Sequence, residues 1–147
     1  MKSTLSILCA ALLTAACVAK AAGPPDIEVD RTACSHCGML ISEPIYAAAY
    51  RGASGEGRVF DDIGCLLKAL GGEAGGAPRF WFHDASSGAW RDGTDVLFVV
   101  SSDIRTPMGG GVIAYSDRAA AERTVQQHGG TVVGSLGELL ARHGAKS

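Results

Sequence analysis

The sequence has no run of lysine or arginine residues and almost no net charge. Its 13 basic and 15 acidic residues give a formal net charge of −2. Proteins that bind DNA or RNA neutralise phosphates with clustered basic side chains, and that pattern is missing here. We therefore expect no nucleic-acid partner.

Apolar runs long enough to cross a membrane are also missing from the sequence. The N-terminal run over residues 4–13 follows Lys2 and has only about half of the roughly 20 residues that a membrane-spanning helix needs. A basic residue followed by a short apolar run is typical of an export signal. We predict a signal peptide over residues 1–16, with Cys17 lipidated after cleavage; cleavage after Ala21 is the alternative.

The export signal predicts the compartment and the membrane contact. We expect a periplasmic protein that a lipid on Cys17 anchors in the outer membrane; a soluble periplasmic protein is the alternative. Residues 17–30 would form the anchor and linker, because Gly23-Pro24-Pro25 has no apolar periodicity. The folded domain is then expected over residues 31–143.

Few cysteines remain once the signal peptide is removed. The chain has five, but Cys9 falls in the signal and Cys17 would carry the lipid. The three that remain are Cys34, Cys37 and Cys65. An odd number in an oxidising compartment leaves at least one thiol unpaired, bound to metal or held by a partner. A scaffold built from disulfides alone is therefore disfavoured.

Two parts of the chain share one order of predicted elements. The first has strands, a helix and a strand over residues 45–50, 58–60, 63–70 and 79–84, with Asp61 or Asp62 as the helix cap. The second has the same order over residues 95–101, 112–115, 117–128 and 131–133. Each helix runs into a double glycine. A last helix is predicted over residues 136–143.

This shared order predicts an α+β fold built from tandem ββαβ units. The halves would cover about residues 31–86 and 87–143 and form one compact domain with a C-terminal helix. A single α+β domain without internal duplication is the alternative.

The segment Cys34-Ser35-His36-Cys37-Gly38-Met39 lies just before the first predicted strand. A Cys-x-x-Cys pair occurs in zinc sites, in redox sites and in structural disulfides. Met39 favours Cu(I), because a thioether binds zinc poorly whereas Cu(I) accepts both thiolates and thioethers. Gly38 allows the chain to turn so that Cys37 and Met39 can face one ion.

A third donor is expected to complete this Cu(I) site. Beyond the initiator only Met39 and Met108 exist, and both lie beside glycines in predicted loops, whereas core methionines more often lie among aliphatic neighbours. The candidates for the third donor are Met108, His36, Cys34 and Cys65. The structural alternatives are a disulfide between Cys34 and Cys37 and a buried, inert thiol at Cys65.

Three motifs, in this order, resemble the NosL family of nitrous oxide reductase accessory proteins. They are Cys37-Gly38-Met39, Phe60-Asp61-Asp62 and Pro107-Met108-Gly109-Gly110. The resemblance implies a pair of ββαβ units and a periplasmic lipoprotein that binds Cu(I) and passes it to the machinery maturing the copper-sulfide centre of the reductase. It also implies Cu(I) ligation by Cys37, Met39 and Met108. Cys34 and Cys65 are additional sulfurs beyond the family motif.

We therefore predict a metallochaperone that is not an enzyme and that delivers Cu(I) to a periplasmic copper enzyme, with nitrous oxide reductase as the expected client. Its partners would be that client or its maturation transporter complex, with membrane contact through the lipid anchor only. One alternative is thiol-disulfide exchange through Cys34 and Cys37. The other is a structural zinc module that uses Cys34, Cys37, Cys65 and a histidine.

Overall fold

Glycines and prolines divide the chain into short apolar segments, and these segments form the strands and helices. The computed structural model describes residues 23–71 and 78–144. The predicted signal peptide and the lipidation of Cys17 lie outside the described residues. Within the described ranges, no helix is both long and apolar enough to cross a membrane.

The described residues of the first half form four strands and one α-helix. After a 3-10 turn at Pro44–Tyr46, the elements are β1 (Ala48–Arg51), β2 (Gly57–Phe60), α1 (Ile63–Ala69), β3 (Arg79–His83) and β4 (Trp90–Asp92). The second half contains β5 (Leu97–Val100), β6 (Val112–Tyr115), α2 (Arg118–His128), β7 (Thr131–Val133) and α3 (Leu136–Gly144).

The ββαβ parts of the two halves have the same topology, and the first half has the additional edge strand β4. The first sheet has the order β2-β1-β3-β4 and the second has the order β6-β5-β7. In each, the first strand of the half lies in the middle and pairs antiparallel with both neighbours. The predicted α+β fold of two ββαβ units with a C-terminal helix is therefore confirmed.

Several elements differ from the prediction by one or two residues at their ends, and two differences are larger. Strand β1 begins at Ala48 rather than at residue 45, because Pro44 fixes its own φ and starts the 3-10 turn that Ala47 N–H closes on the Pro44 carbonyl. Strand β4 was not predicted. It has only three residues and pairs with β3 at the sheet edge.

Each repeat helix begins at an aspartate that caps it. Asp62 Oδ1 accepts a hydrogen bond from Cys65 N at 2.8 Å, and Asp117 Oδ2 accepts one from Ala120 N at 2.9 Å. These carboxylates satisfy amide groups that the first turn of a helix leaves without partners. The predicted cap of α1 is therefore Asp62, which frees Asp61 for another role.

The main core is shared between the halves. The Phe82 ring of β3 packs edge-on against the Phe98 ring of β5, with 5.0 Å between centroids, and both side chains are fully buried. Where β3 ends, the Ala85 amide donates to the Ala114 carbonyl of β6 at 2.8 Å. This shared packing fixes α1 of the first half against loops of the second half, which matters for the site described next.

Candidate metal centre

The turn that carries Cys34 and Cys37 is closed by backbone hydrogen bonds. Cys34 N–H donates to the Met39 carbonyl at 2.8 Å, and Gly38 N–H donates to the Cys34 carbonyl at 3.0 Å. Gly38 has a φ of +76°, in the left-handed region that favours glycine. The turn therefore brings both cysteines of the Cys-x-x-Cys pair to one side of a tight loop.

Strand β2 holds this turn in place. The Ser35 amide donates to the Val59 carbonyl at 2.8 Å, and the Val59 amide donates to Ser35 Oγ at 3.2 Å. Because Val59 is two residues before Asp61, the turn lies beside the end of β2 and the start of α1. Cys65 lies in the first turn of α1, so it is close to the cysteine turn.

Four side chains from these three segments meet. The Sγ atoms of Cys34, Cys37 and Cys65 and a carboxylate oxygen of Asp61 all lie within 4.8 Å of one another. Cys34, Cys65 and Asp61 are buried, whereas Cys37 is half-buried. All three cysteines are free thiols. We call this group the thiol cluster; among its members Cys37 is the one that reaches solvent.

Asp61 contributes a buried carboxylate with an unsatisfied oxygen. The Cys37 thiol donates to its Oδ2 at 3.5 Å, but the buried Oδ1 has no hydrogen-bond partner within the described chain. Burying a polar oxygen without a partner is costly, and such groups mark strained or ligand-binding positions. A cation placed among the thiols would compensate for this cost, so the residues present suit a bound metal ion.

Burial keeps the Cys37 and Cys65 thiols protonated when no metal is bound. It raises the pKa of the Cys37 thiol, and the nearby Cys34 raises it further despite the amide of Met39. Burial also raises the pKa of Cys65, and a hydrogen bond with Asp61 raises that pKa further. A metal that binds thiolates must therefore displace protons from this cluster.

The remaining predicted donors, Met39, Met108 and His36, are all exposed. Met39 is in the same turn as Cys37 and is exposed. Met108 is also exposed, and its amide donates to Asp62 Oδ2 at 3.1 Å, which places its loop against the start of α1. His36 is exposed and is not a member of the cluster.

Sequence reasoning missed Asp61, which it assigned to a cap or turn. Consecutive residues at the end of a strand point to opposite sides, so Asp61 and Asp62 cannot share one role. The pair of adjacent acids directly after β2 was the signal that could have found it: Asp62 caps α1 and Asp61 faces the thiols.

The paired ββαβ fold and the thiol cluster define a small protein with a candidate site for a soft metal ion. The family model for NosL matches residues 26–138 of the chain. The chain belongs to the NosL family, which confirms the resemblance seen in its motifs.

A solved structure shares the fold. The crystal structure of the copper chaperone NosL from Shewanella denitrificans aligns with a TM-score of 0.65 and 24% sequence identity, over 75% of this chain and 90% of that chain. No curated protein gives a significant sequence match.

Proposed function

We propose that this protein is a metallochaperone, not an enzyme, that carries a single Cu(I) ion as its cargo. The observation that carries the proposal is the thiol cluster, in which three sulfur atoms and a buried carboxylate converge on one point with a single half-buried thiol at the surface. Membership of the NosL family supports it, as does the copper chaperone with the same fold.

Soft donors favour Cu(I) over harder ions. Cu(I) is bound well by thiolates and thioethers. The cluster would supply thiolates, and the exposed Met39 and Met108 would supply thioethers. Cys37 and Met39 would hold the ion from the solvent side. Met108 or a buried thiol, Cys34 or Cys65, would complete a shell of two or three sulfurs.

The position of Cys37 suits transfer rather than storage. Because Cys37 is half-buried and Met39 is exposed, an incoming thiolate, thioether or imidazole of an acceptor can reach the ion before the buried ligands release it. The acceptor would be a copper-requiring enzyme or its maturation transporter complex. Our proposal for that client is nitrous oxide reductase, in the periplasm, with the chaperone anchored to the outer membrane by a lipid on Cys17.

Anaerobic titration of the reduced protein with Cu(I), against a competing chelator, tests cargo binding. We expect one tightly bound equivalent, lost or strongly weakened in Cys37→Ser. His36→Ala is the matched control, since His36 lies in the same turn but outside the cluster, and it should bind like the unsubstituted protein. Equal weakening in both variants, or no binding in either, would contradict the proposal.

The proposed client has a separate test. Deleting the gene in its own organism should leave nitrous oxide reductase synthesised but poor in copper, and returning the intact gene should restore the copper content. Returning the Cys37→Ser form should not. Normal copper loading of the reductase in the deletion strain would rule out the reductase as the client. The proposal that the protein binds Cu(I) would be unaffected.

Asp61 favours one alternative, a structural zinc site, because a carboxylate is a good zinc ligand and a poor Cu(I) ligand. Three thiolates and one carboxylate would complete a tetrahedron of Cys34, Cys37, Cys65 and Asp61 in place of the predicted histidine. A structural zinc protein loses its fold when a chelator removes the metal. Unfolding by EDTA would therefore favour zinc, whereas retention of the native circular dichroism spectrum would favour copper cargo.

Thiol-disulfide exchange is the weaker alternative. An attacking cysteine needs a readily formed thiolate, whereas burial raises the pKa of Cys37 and of Cys65. Cys37 is also followed by a glycine turn rather than by a helix, unlike the Cys-x-x-Cys pairs of thioredoxin-like redox sites.

A further inference from the structure

We propose that Asp62 is a positioning residue that holds Met108 beside the copper site. Its carboxylate forms hydrogen bonds that attach the loop carrying Met108, in the second half, to the start of α1. We call these hydrogen bonds the clamp. The inference rests on the proposed function, because Met108 matters only if the site takes Cu(I). It concerns a residue whose sequence position predicts only a helix cap.

The Asp62 carboxylate accepts far more hydrogen bonds than a cap requires. One oxygen, Oδ1, accepts from Cys65 N at 2.8 Å, which completes the cap. The other, Oδ2, accepts from Thr106 Oγ1 at 2.7 Å, Met108 N at 3.1 Å and Gly110 N at 3.3 Å. Asp62 is fully buried. One carboxylate therefore ties Cys65 and Met108, two candidate copper donors from different halves, to a single point.

The loop that carries Met108 is built to approach α1 closely. A Cβ added to Gly64 would lie 2.9 Å from Gly110 Cα, and one added to Gly110 would lie 3.0 Å from Gly64 Cα. The first distance is shorter than Cβ atoms adopt and the second is tighter than most of them, so a side chain at either position would push the loop and the helix apart. Thr106 Oγ1 also accepts from Gly111 N at 3.2 Å, which extends the clamp to the end of the loop.

The second half provides an internal comparison. Asp117 occupies the same place in its ββαβ unit and caps α2 through Ala120 N. It is exposed, however, and its carboxylate also forms an ion pair with Arg123 at 3.9 Å. Capping is therefore common to both repeats, whereas the three bonds to the Met108 loop belong to Asp62. The additional bonds of Asp62 therefore occur in the part of the molecule that carries the candidate copper donors Cys65 and Met108.

A clamp of this kind has a clear chemical use. Methionine is a flexible side chain and a neutral ligand, so it binds Cu(I) well only if its backbone is already held at the right place. Groups that orient metal ligands without touching the metal typically change metal affinity by roughly 10- to 100-fold when they are removed. The Asp62 carboxylate and the Thr106 hydroxyl would orient Met108 in this way, without touching the metal themselves.

A double-mutant cycle in Cu(I) affinity tests the inference. Thr106→Val removes the shortest bond of the clamp with little change of shape, and we expect it to weaken Cu(I) binding by roughly 10-fold. In a Met108→Leu background the same substitution should have almost no effect, because the ligand it positions is gone. A purely structural role would weaken binding equally in both backgrounds, and that result would overturn the inference.

Asp62→Asn provides a second variant, and Asp117→Asn is its matched control. Both remove the charge of a helix cap, but only Asp62→Asn should lower Cu(I) affinity in a manner that depends on Met108. Equal effects of the two on Cu(I) affinity would overturn the inference. Thermal unfolding of each variant shows which ones retain the fold.

Hydrogen exchange separates failure of the inference from failure of the proposed function. In the metal-free protein the amides of Met108 and Gly110 should exchange slowly, and Thr106→Val should speed both. Slow exchange without any Cu(I) binding by the unsubstituted protein would reject the copper function and, with it, the positioning role, although the clamp itself would stand. Cu(I) binding that is unchanged in Met108→Leu would reject the positioning role alone.

Discussion

The Cys37 thiol and the Asp61 carboxylate form a hydrogen bond between side chains that links the cysteine turn to the end of β2. The Cys37 thiol lies 3.5 Å from Asp61 Oδ2, and the thiols of Cys34 and Cys65 are close by. Up to four negative charges would meet here if every group were ionised. Burial holds protons on the Cys37 and Cys65 thiols in the metal-free protein, and a bound cation can take the place of those protons.

The first prediction is that Cu(I) affinity rises with pH. The pKa of Cys37 and that of Cys65 are both raised by burial, so both thiols hold protons through the neutral range and Cu(I) must displace them. Raising the pH weakens this competition. We expect the dissociation constant to fall about tenfold per pH unit for each proton released.

Chelator competition at several pH values, corrected for protonation of the chelator, measures this dependence. The number of protons released per Cu(I) can be checked by pH-stat titration. Affinity that stays constant or falls as the pH rises would contradict the account.

The second prediction concerns Met39. We expect Met39→Ala to weaken Cu(I) binding by roughly 10-fold or more, since a neutral thioether in the cysteine turn is a soft donor that water does not replace for Cu(I). Competition titration with the reduced protein gives the dissociation constant.

Leu40→Ala is the matched control for Met39→Ala. Met39 is 59% exposed and Leu40, its neighbour, is 54% exposed, so truncating either removes a similar amount of exposed apolar surface. Leu40→Ala should leave the Cu(I) dissociation constant unchanged. If the two variants behave alike, Met39 is not a ligand.

The third prediction concerns stability rather than copper. Asp84 is buried where β3 approaches β6, and it accepts hydrogen bonds from Ser86 N at 3.0 Å, Ser87 Oγ at 2.9 Å and Ser116 Oγ at 2.8 Å. Burial alone would raise the pKa of Asp84, but these bonds outweigh burial and hold the pKa below its usual value. The ionised carboxylate therefore stabilises the folded state above the ordinary aspartate pKa, and this contribution disappears as the pH falls through the lowered pKa.

Asp84→Asn should reduce the free energy of unfolding at neutral pH by about 1–3 kcal/mol, because it weakens hydrogen bonds to a buried charged acceptor. The difference from the unsubstituted protein should shrink in acid. Urea unfolding at neutral and acidic pH measures both effects. Asp26→Asn, at an exposed position, is the control. If Asp84→Asn reduced the free energy of unfolding equally at every pH, the electrostatic explanation would be contradicted.

Local sequence patterns were enough to predict most of the fold. Strands β6 and β7 have the predicted bounds, and α2 begins directly after the predicted first residue, Asp117, which caps it. These elements are marked by apolar runs, a capping aspartate and a double glycine, all of which act within a few residues. Strand β4 has none of these signals and exists because β3 offers it an edge to pair with.

The candidate site was less accessible to sequence reasoning, because it is made by contacts between distant segments. The spacing of Cys34 and Cys37 shows a local pair, but only the docking of their turn on β2 brings Asp61 and Cys65 to it. The same holds for Asp62 and Thr106, which are 44 residues apart. Contacts of this kind depend on how the two halves pack, which the pattern of either half alone does not determine.

X-ray absorption at the copper edge, on the reduced protein loaded with one equivalent of Cu(I), tests the central claim most directly. The account predicts an edge typical of Cu(I) and a shell of two or three sulfur neighbours, with no nitrogen or oxygen neighbour. A shell dominated by nitrogen or oxygen, or copper that washes off before measurement, would contradict the claim that the thiol cluster and its neighbouring methionine carry the ion.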